Sequence, residues 1–183
     1  MGILLAFAPF IAFALIDRFA ESTLGLVVGA LVSIGLIARD VMTVGRSPKI
    51  LEIGTATLFF VLALYALFGA PTWSVIGVRL CVDTGLLAIV LISMAIGRPF
   101  TLQYAREQVA AEDQASPEFV RTNYVLTGAW AFAFAVMVAA ELALLYITTV
   151  PHQLGILAIV AALVCAVKFT GWYPDYVRQK ARA

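Results

Sequence analysis

Charge is scarce in this chain. Only 13% of its 183 residues are Asp, Glu, Lys or Arg, against roughly 25% in a typical soluble domain. The net charge is +1, which removes any bulk attraction to a polyanion. The basic residues form no nucleic-acid fingerprint, so no nucleic-acid partner is expected. There is one histidine, His152, in the loop TTVPHQL. One histidine cannot ligate a haem from both sides. There are two cysteines, Cys81 and Cys165, each inside an apolar run. They read as small buried hydrophobes, and no Cys/His cluster supports a metal site. No GxSxG, HExxH, Walker loop or Gly-rich dinucleotide turn occurs. The expectation is no enzyme activity, no cofactor and no metal.

What the chain has in abundance is apolar sequence. Hydrophobic residues make up 63%, and the mean hydropathy is +1.00. Six apolar segments emerge, at about 3–16, 24–38, 50–68, 75–96, 124–147 and 154–170. A straight crossing of a bilayer needs roughly 20 helical residues. The third, fourth and fifth segments meet that length, and the first two need their flanks. Pro9 falls near the middle of the first segment and predicts a kink or a re-entrant element there. With no basic stretch before it and no cleavage site after it, this segment reads as a retained helix rather than a signal peptide. The fold class expected is all-α: one polytopic bundle over 1–183, with six transmembrane helices.

Loop charge predicts the orientation. Arg39, Arg46 and Lys49 follow the second segment, and Arg98, Arg106 and Arg121 follow the fourth. Arg178, Lys180 and Arg182 follow the sixth, with Lys168 snorkelling from its end. All three clusters share one face if both termini are cytoplasmic. Trp73 then marks the outer interface, and Trp172, Tyr173 and Tyr176 the inner one. Ser47-Pro48 and Ser116-Pro117 predict capped helix starts before the third and fifth segments. Leu102, Ala105 and Val109, with Arg106, Glu107 and Glu112 between them, predict a short amphipathic helix on the inner leaflet or a solvated connector.

Small residues recur at spacing four. They are Gly25, Gly29 and Ser33; Ala131, Ala135 and Ala139; and Ala158, Ala162 and Ala166. Such stripes let helix backbones approach closely, within the bundle or against a partner.

Against this background three ionisable residues stand out: Arg79 and Asp83, four apart in VIGVRLCVDTGLLAIV, and Glu141 in FAVMVAAELALLYI. All three are placed in the outer half of the bilayer. Charge at that depth is expensive and usually has a reason. One reading is a clasp, in which Arg79 satisfies Asp83, Glu141 or both. The other is an outward-opening polar cavity for protons, ions or a small solute, rimmed by Asp17, Arg18 and Glu21. Glu52, near the inner end of the third segment, is expected to reach the interface or close its helix N-terminus.

Three stretches resemble the intracellular septation protein A family of bacterial inner-membrane proteins. FAPFIAFALIDRF is similar to that family's opening Phe-x-Pro helix. GRPFTLQYAREQ resembles its basic-Pro segment after a long span. GAWAFAFAVMVAAELALLYI resembles its Trp-Ala-x-x-Phe helix, with a polar residue eleven positions after the tryptophan, here Trp130 to Glu141. An acid at that position departs from the neutral residue expected there. The resemblance implies location in the bacterial inner membrane and a non-enzymatic role in septation or envelope maintenance. It also implies action through membrane-protein partners or self-association within the lipid bilayer. The competing expectations are a small transporter or channel built on the outer-half polar site, and an accessory subunit of a larger membrane complex.

Overall fold

A computed structural model describes residues 2–44, 47–69, 73–110, 114, 116–147 and 149–182. Arg46 and Glu112, and most of the GAPTW loop, lie outside the described residues. All regular structure among the described residues is helical: α1 (Gly2–Leu5), α2 (Ala8–Phe19), α3 (Ser22–Met42), α4 (Ile50–Gly69), α5 (Val75–Ala95), α6 (Phe100–Arg106), α7 (Pro117–Tyr146) and α8 (His152–Arg182). Five of these, α3, α4, α5, α7 and α8, are long and apolar enough to cross a membrane. They coincide with the second to sixth apolar segments.

The first segment is broken. The chain leaves helical form at Ala6 and Phe7, and Pro9 sits in the first turn of α2 rather than mid-helix. There its missing N–H costs no hydrogen bond. The twelve residues of α2 rise only about 18 Å, short of a hydrocarbon core of about 30 Å.

The chain divides into two compact units, Met1–Ile89 and Val90–Ala183. In the first, α3 packs on both α2 and α4. Its core contains Phe13, Leu26, Ala30, Phe59, Ala63, Val78 and Val82. The Gly25, Gly29 and Ser33 stripe explains this double contact, since all three are buried. A methyl at Gly25 would meet Phe13, and one at Gly29 would come 2.7 Å from the Phe59 ring. Ser33 donates its hydroxyl to the Gly29 carbonyl at 2.8 Å, so the polar group disappears into the helix that carries it. Phe59 closes the layer, with ring centroids 5.1 Å from Phe10 and 5.7 Å from Phe13.

In the second unit α7 and α8 form an antiparallel pair. Leu144 lies against Gly155, and Trp130 donates its indole N–H to Thr170 Oγ1 at 3.0 Å. The alanine stripes follow this seam only in part. Ala131 and Ala166 are buried and Ala158 and Ala162 half-buried, but Ala135 and Ala139 are exposed. The reason is angular. At 100° per residue, Ala135 and Ala139 sit roughly 140–180° round the helix from Trp130, on the far side of the seam.

Local chemistry sets the helix ends. Ser116 caps α7 as expected, its Oγ accepting from Phe119 N at 3.2 Å, with Pro117 at the first helical position. Ser47 does not cap α4, which begins later, at Ile50. There Glu52 reaches back, its Oε2 accepting from Lys49 N at 3.3 Å. A carboxylate satisfies an orphan helix donor better than a hydroxyl two residues too early. Gly97 ends α5 with φ of 75°, a left-handed conformation open to glycine at no steric cost. The two cysteines correct their expectation, because both are exposed. A face turned to lipid need not hide apolar side chains.

Candidate functional site

Three polar clusters are built by these helices. The first lies where α2 hands over to α3. Asp17, in the last turn of α2, is fully buried at its side chain. Arg79 of α5 grips it with Nε at 2.7 Å and Nη2 at 2.5 Å, both on Oδ2. Ser22, the first residue of α3, donates to the other oxygen, Oδ1, at 2.5 Å. Charge-assisted bonds of this kind are about twice as strong as neutral ones. The guanidinium is 36% exposed and so keeps part of its solvation. The carboxylate depends wholly on its partners.

This redraws the sequence expectation. Asp17, expected at the rim, is the buried partner of Arg79. Arg18 and Glu21, the other expected rim residues, are exposed. Asp83 is half-buried one turn along α5 from Arg79 and has contacts of its own. Glu141 belongs to the second unit, where it is buried in α7 and likewise engaged.

The second cluster closes the opposite end of α3, and the sequence reading missed its centre. Asp40 has a side-chain exposure of 0%. Its Oδ2 accepts from Lys49 Nζ at 2.6 Å, and its Oδ1 accepts from Arg39 Nε at 2.9 Å and Nη2 at 2.6 Å. The Lys49 ammonium also lies 3.7 Å from Glu52 Oε1. Lys49, expected as a loop charge facing the cytoplasm, is buried. These four charged side chains hold the end of α3 to the start of α4. Two signals in the sequence pointed to it. Asp40 is the one acid among the basic residues 39–49, and Glu52 stands three residues after Lys49, the spacing of a reciprocal helix cap.

The third cluster is neutral. Thr101 of α6 donates to the Asn123 carbonyl of α7 at 2.8 Å, and its oxygen lies 2.8 Å from Thr127 Oγ1. Thr101 spends its proton on the carbonyl, so Thr127 is the donor between the two hydroxyls. Ser93 donates to the Val90 carbonyl at 2.6 Å and accepts from Phe100 N at 3.2 Å, fixing the turn GRPF. The expected surface helix is therefore corrected. It ends at Arg106, buries Phe100, Thr101, Leu102 and Tyr104, and packs on α7. Asn123 and Thr127, four apart on one face of α7, give it a polar foothold.

Among the described residues no group of three His, Cys, Asp or Glu side chains is placed to hold a metal ion. The clusters do one kind of work in common: they tie helices to one another. Comparison with protein-family models, with curated proteins and with solved structures finds no match to the chain.

Proposed function

We propose that the chain is a non-enzymatic protein of the bacterial inner membrane, of the septation type, that acts by lateral association with membrane partners or with itself. The observation that carries this reading is the use of charge. Arg79 is spent on Asp17, and Lys49 on Asp40 and Glu52, so these ions serve helix-to-helix attachment rather than an open path. The exposed face of α7 supports an associating role. Phe132, Ala135, Ala139, Leu142 and Tyr146 are exposed and recur at three- and four-residue steps. That pattern combines small residues with flanking large ones, as membrane helix contacts do.

Orientation follows loop charge, with the basic clusters cytoplasmic. The stretch before α3 completes a sixth, broken crossing: α2 packs along α3, and Phe10 and Phe13 reach Phe59 in the middle of α4. Photo-cross-linking from positions 135 and 139 in native membranes tests the role. The expected result is a discrete adduct that is absent when the probe stands at Phe60, on exposed α4. Monomer alone from every position overturns the reading.

Glu141 favours a second reading, transport, because a buried acid in a spanning helix is a usual part of proton and cation paths. On that reading Glu141→Gln abolishes a pH-dependent flux in proteoliposomes while the protein still folds. An unchanged flux eliminates it.

A further inference from the structure

We propose that the C-terminal third of α8 is a hinged arm whose aromatic and lysine face docks on anionic phospholipid headgroups of the bilayer. This rests on the reading that α8 crosses the membrane. Its 31 residues extend roughly 46 Å, whereas the hydrocarbon core takes up about 30 Å. A crossing that begins at His152 is complete near Gly171, so everything from Trp172 onward lies beyond the hydrocarbon.

The helix carries a distinct face across that boundary. Lys168, Phe169, Trp172, Tyr173, Tyr176 and Lys180 fall within a sector of about 140° at 100° per residue. The rings form a continuous wall. Phe169 stacks on Tyr173 with centroids 5.0 Å apart, and Trp172 stacks on Tyr176 at 5.1 Å. Trp172, Tyr176, Lys168 and Lys180 are exposed. Arg178 sits on the other side of the helix, 3.7 Å from Asp175, which offsets its charge. Among the described residues neither lysine has an ion pair, so the aromatic face carries uncompensated positive charge at both ends. Tyr and Trp rings settle at headgroup level, and lysines there are drawn to an anionic leaflet. The charge selects anionic lipid.

The helix also carries its own hinge. Pro174 lies inside α8, where it cannot donate to the Thr170 carbonyl and its ring crowds that oxygen. Bending at a proline opens the proline side. Pro174 is about 170° from the centre of the aromatic sector, so the aromatic face becomes the inner side of the bend. On a helix leaving a bilayer, the inner side is the one turned to the headgroups. Thr170, held by the Trp130 indole, fixes the helix just before the hinge. A side chain at Gly171, three residues before the proline, would meet nothing within 4 Å.

The test uses spin labels on the full chain with Cys81 and Cys165 replaced by alanine. One label stands at Gln179 and one at Val160. The protein is placed in nanodiscs of phosphatidylcholine alone or with about 30% phosphatidylglycerol, enough to set an anionic surface. Depth is read from relative accessibility to oxygen and to a nickel chelate. The label at 179 is expected at headgroup depth in the anionic discs and in water in the neutral ones. Lys168→Gln with Lys180→Gln is expected to lower the docked-to-free ratio roughly 30-fold in anionic discs. Pro174→Ala is expected to return the label to water. A label at 179 in water in both discs, with 160 in lipid, overturns the arm alone. A label at 160 in water overturns the crossing of α8 and the arm with it.

Discussion

In the first unit helices are joined by ions: Arg79 on α5 to Asp17 on α2, and Lys49 before α4 to Asp40 on α3. In the second unit two seams are fastened by neutral groups: α6 to α7 through Thr101 on the Asn123 carbonyl and Thr127, and α7 to α8 through Trp130 on Thr170. The difference lies in what happens when a partner is lost. A buried ion without its counter-ion keeps the whole desolvation penalty, several kcal/mol. A hydroxyl or indole that loses its partner turns to a nearby carbonyl, and such bonds average only about 0.6 kcal/mol within membranes. The ion-paired seams are therefore specified strictly and the neutral ones leniently.

Lys49→Met is the most severe way to break this contrast. It takes the buried ammonium from Asp40 Oδ2 and from Glu52, leaving Arg39 on Oδ1 of a completely buried carboxylate. The expected loss is about 3–5 kcal/mol in denaturant unfolding in a fixed detergent. Adding Asp40→Leu should recover much of it, and a double variant as unstable as the single would show that packing, not charge, fastens that end. Arg79→Met comes next. Asp17 keeps Ser22 and the guanidinium was already partly solvated, so about 2 kcal/mol is expected. Adding Asp17→Asn should relieve it, as read from the thermal midpoint. Smallest is Thr101→Val, which keeps the shape of the side chain and costs about 1 kcal/mol or less. A loss from Thr101→Val as large as that from Lys49→Met would erase the distinction between the two kinds of seam.

The helical class and five of the six apolar segments were legible because lipid demands long uninterrupted apolar runs, and these leave an unmistakable trace. Helix ends were legible where one short side chain decides them, as at Ser116. They were not where a longer one reaches back from inside the helix, as Glu52 does. The candidate charges were found, but their pairing was not. Arg79 has an acid four residues away in Asp83, and local spacing gives no hint that a carboxylate on α2 takes its guanidinium. Asp40 escaped notice because a loop rich in basic residues looks solvated, and only the packed chain shows Lys49 folded inward. The stripe at Gly25, Gly29 and Ser33 marked a true seam. The run through Ala135 and Ala139 marks no seam inside the second unit, since spacing gives a helix face without saying what lies across from it.

The Asp17–Arg79 pair spans 62 residues of sequence, and this separation sets an order of events during synthesis. At about 5–20 residues per second, Arg79 leaves the ribosome roughly 3–12 s after Asp17. Throughout that interval α3 and α4 are made and inserted while the aspartate has only Ser22, five residues away, to bond with. The pair closes only once α5 arrives beside α2, so a nascent chain halted before Arg79 holds Asp17 without its guanidinium partner.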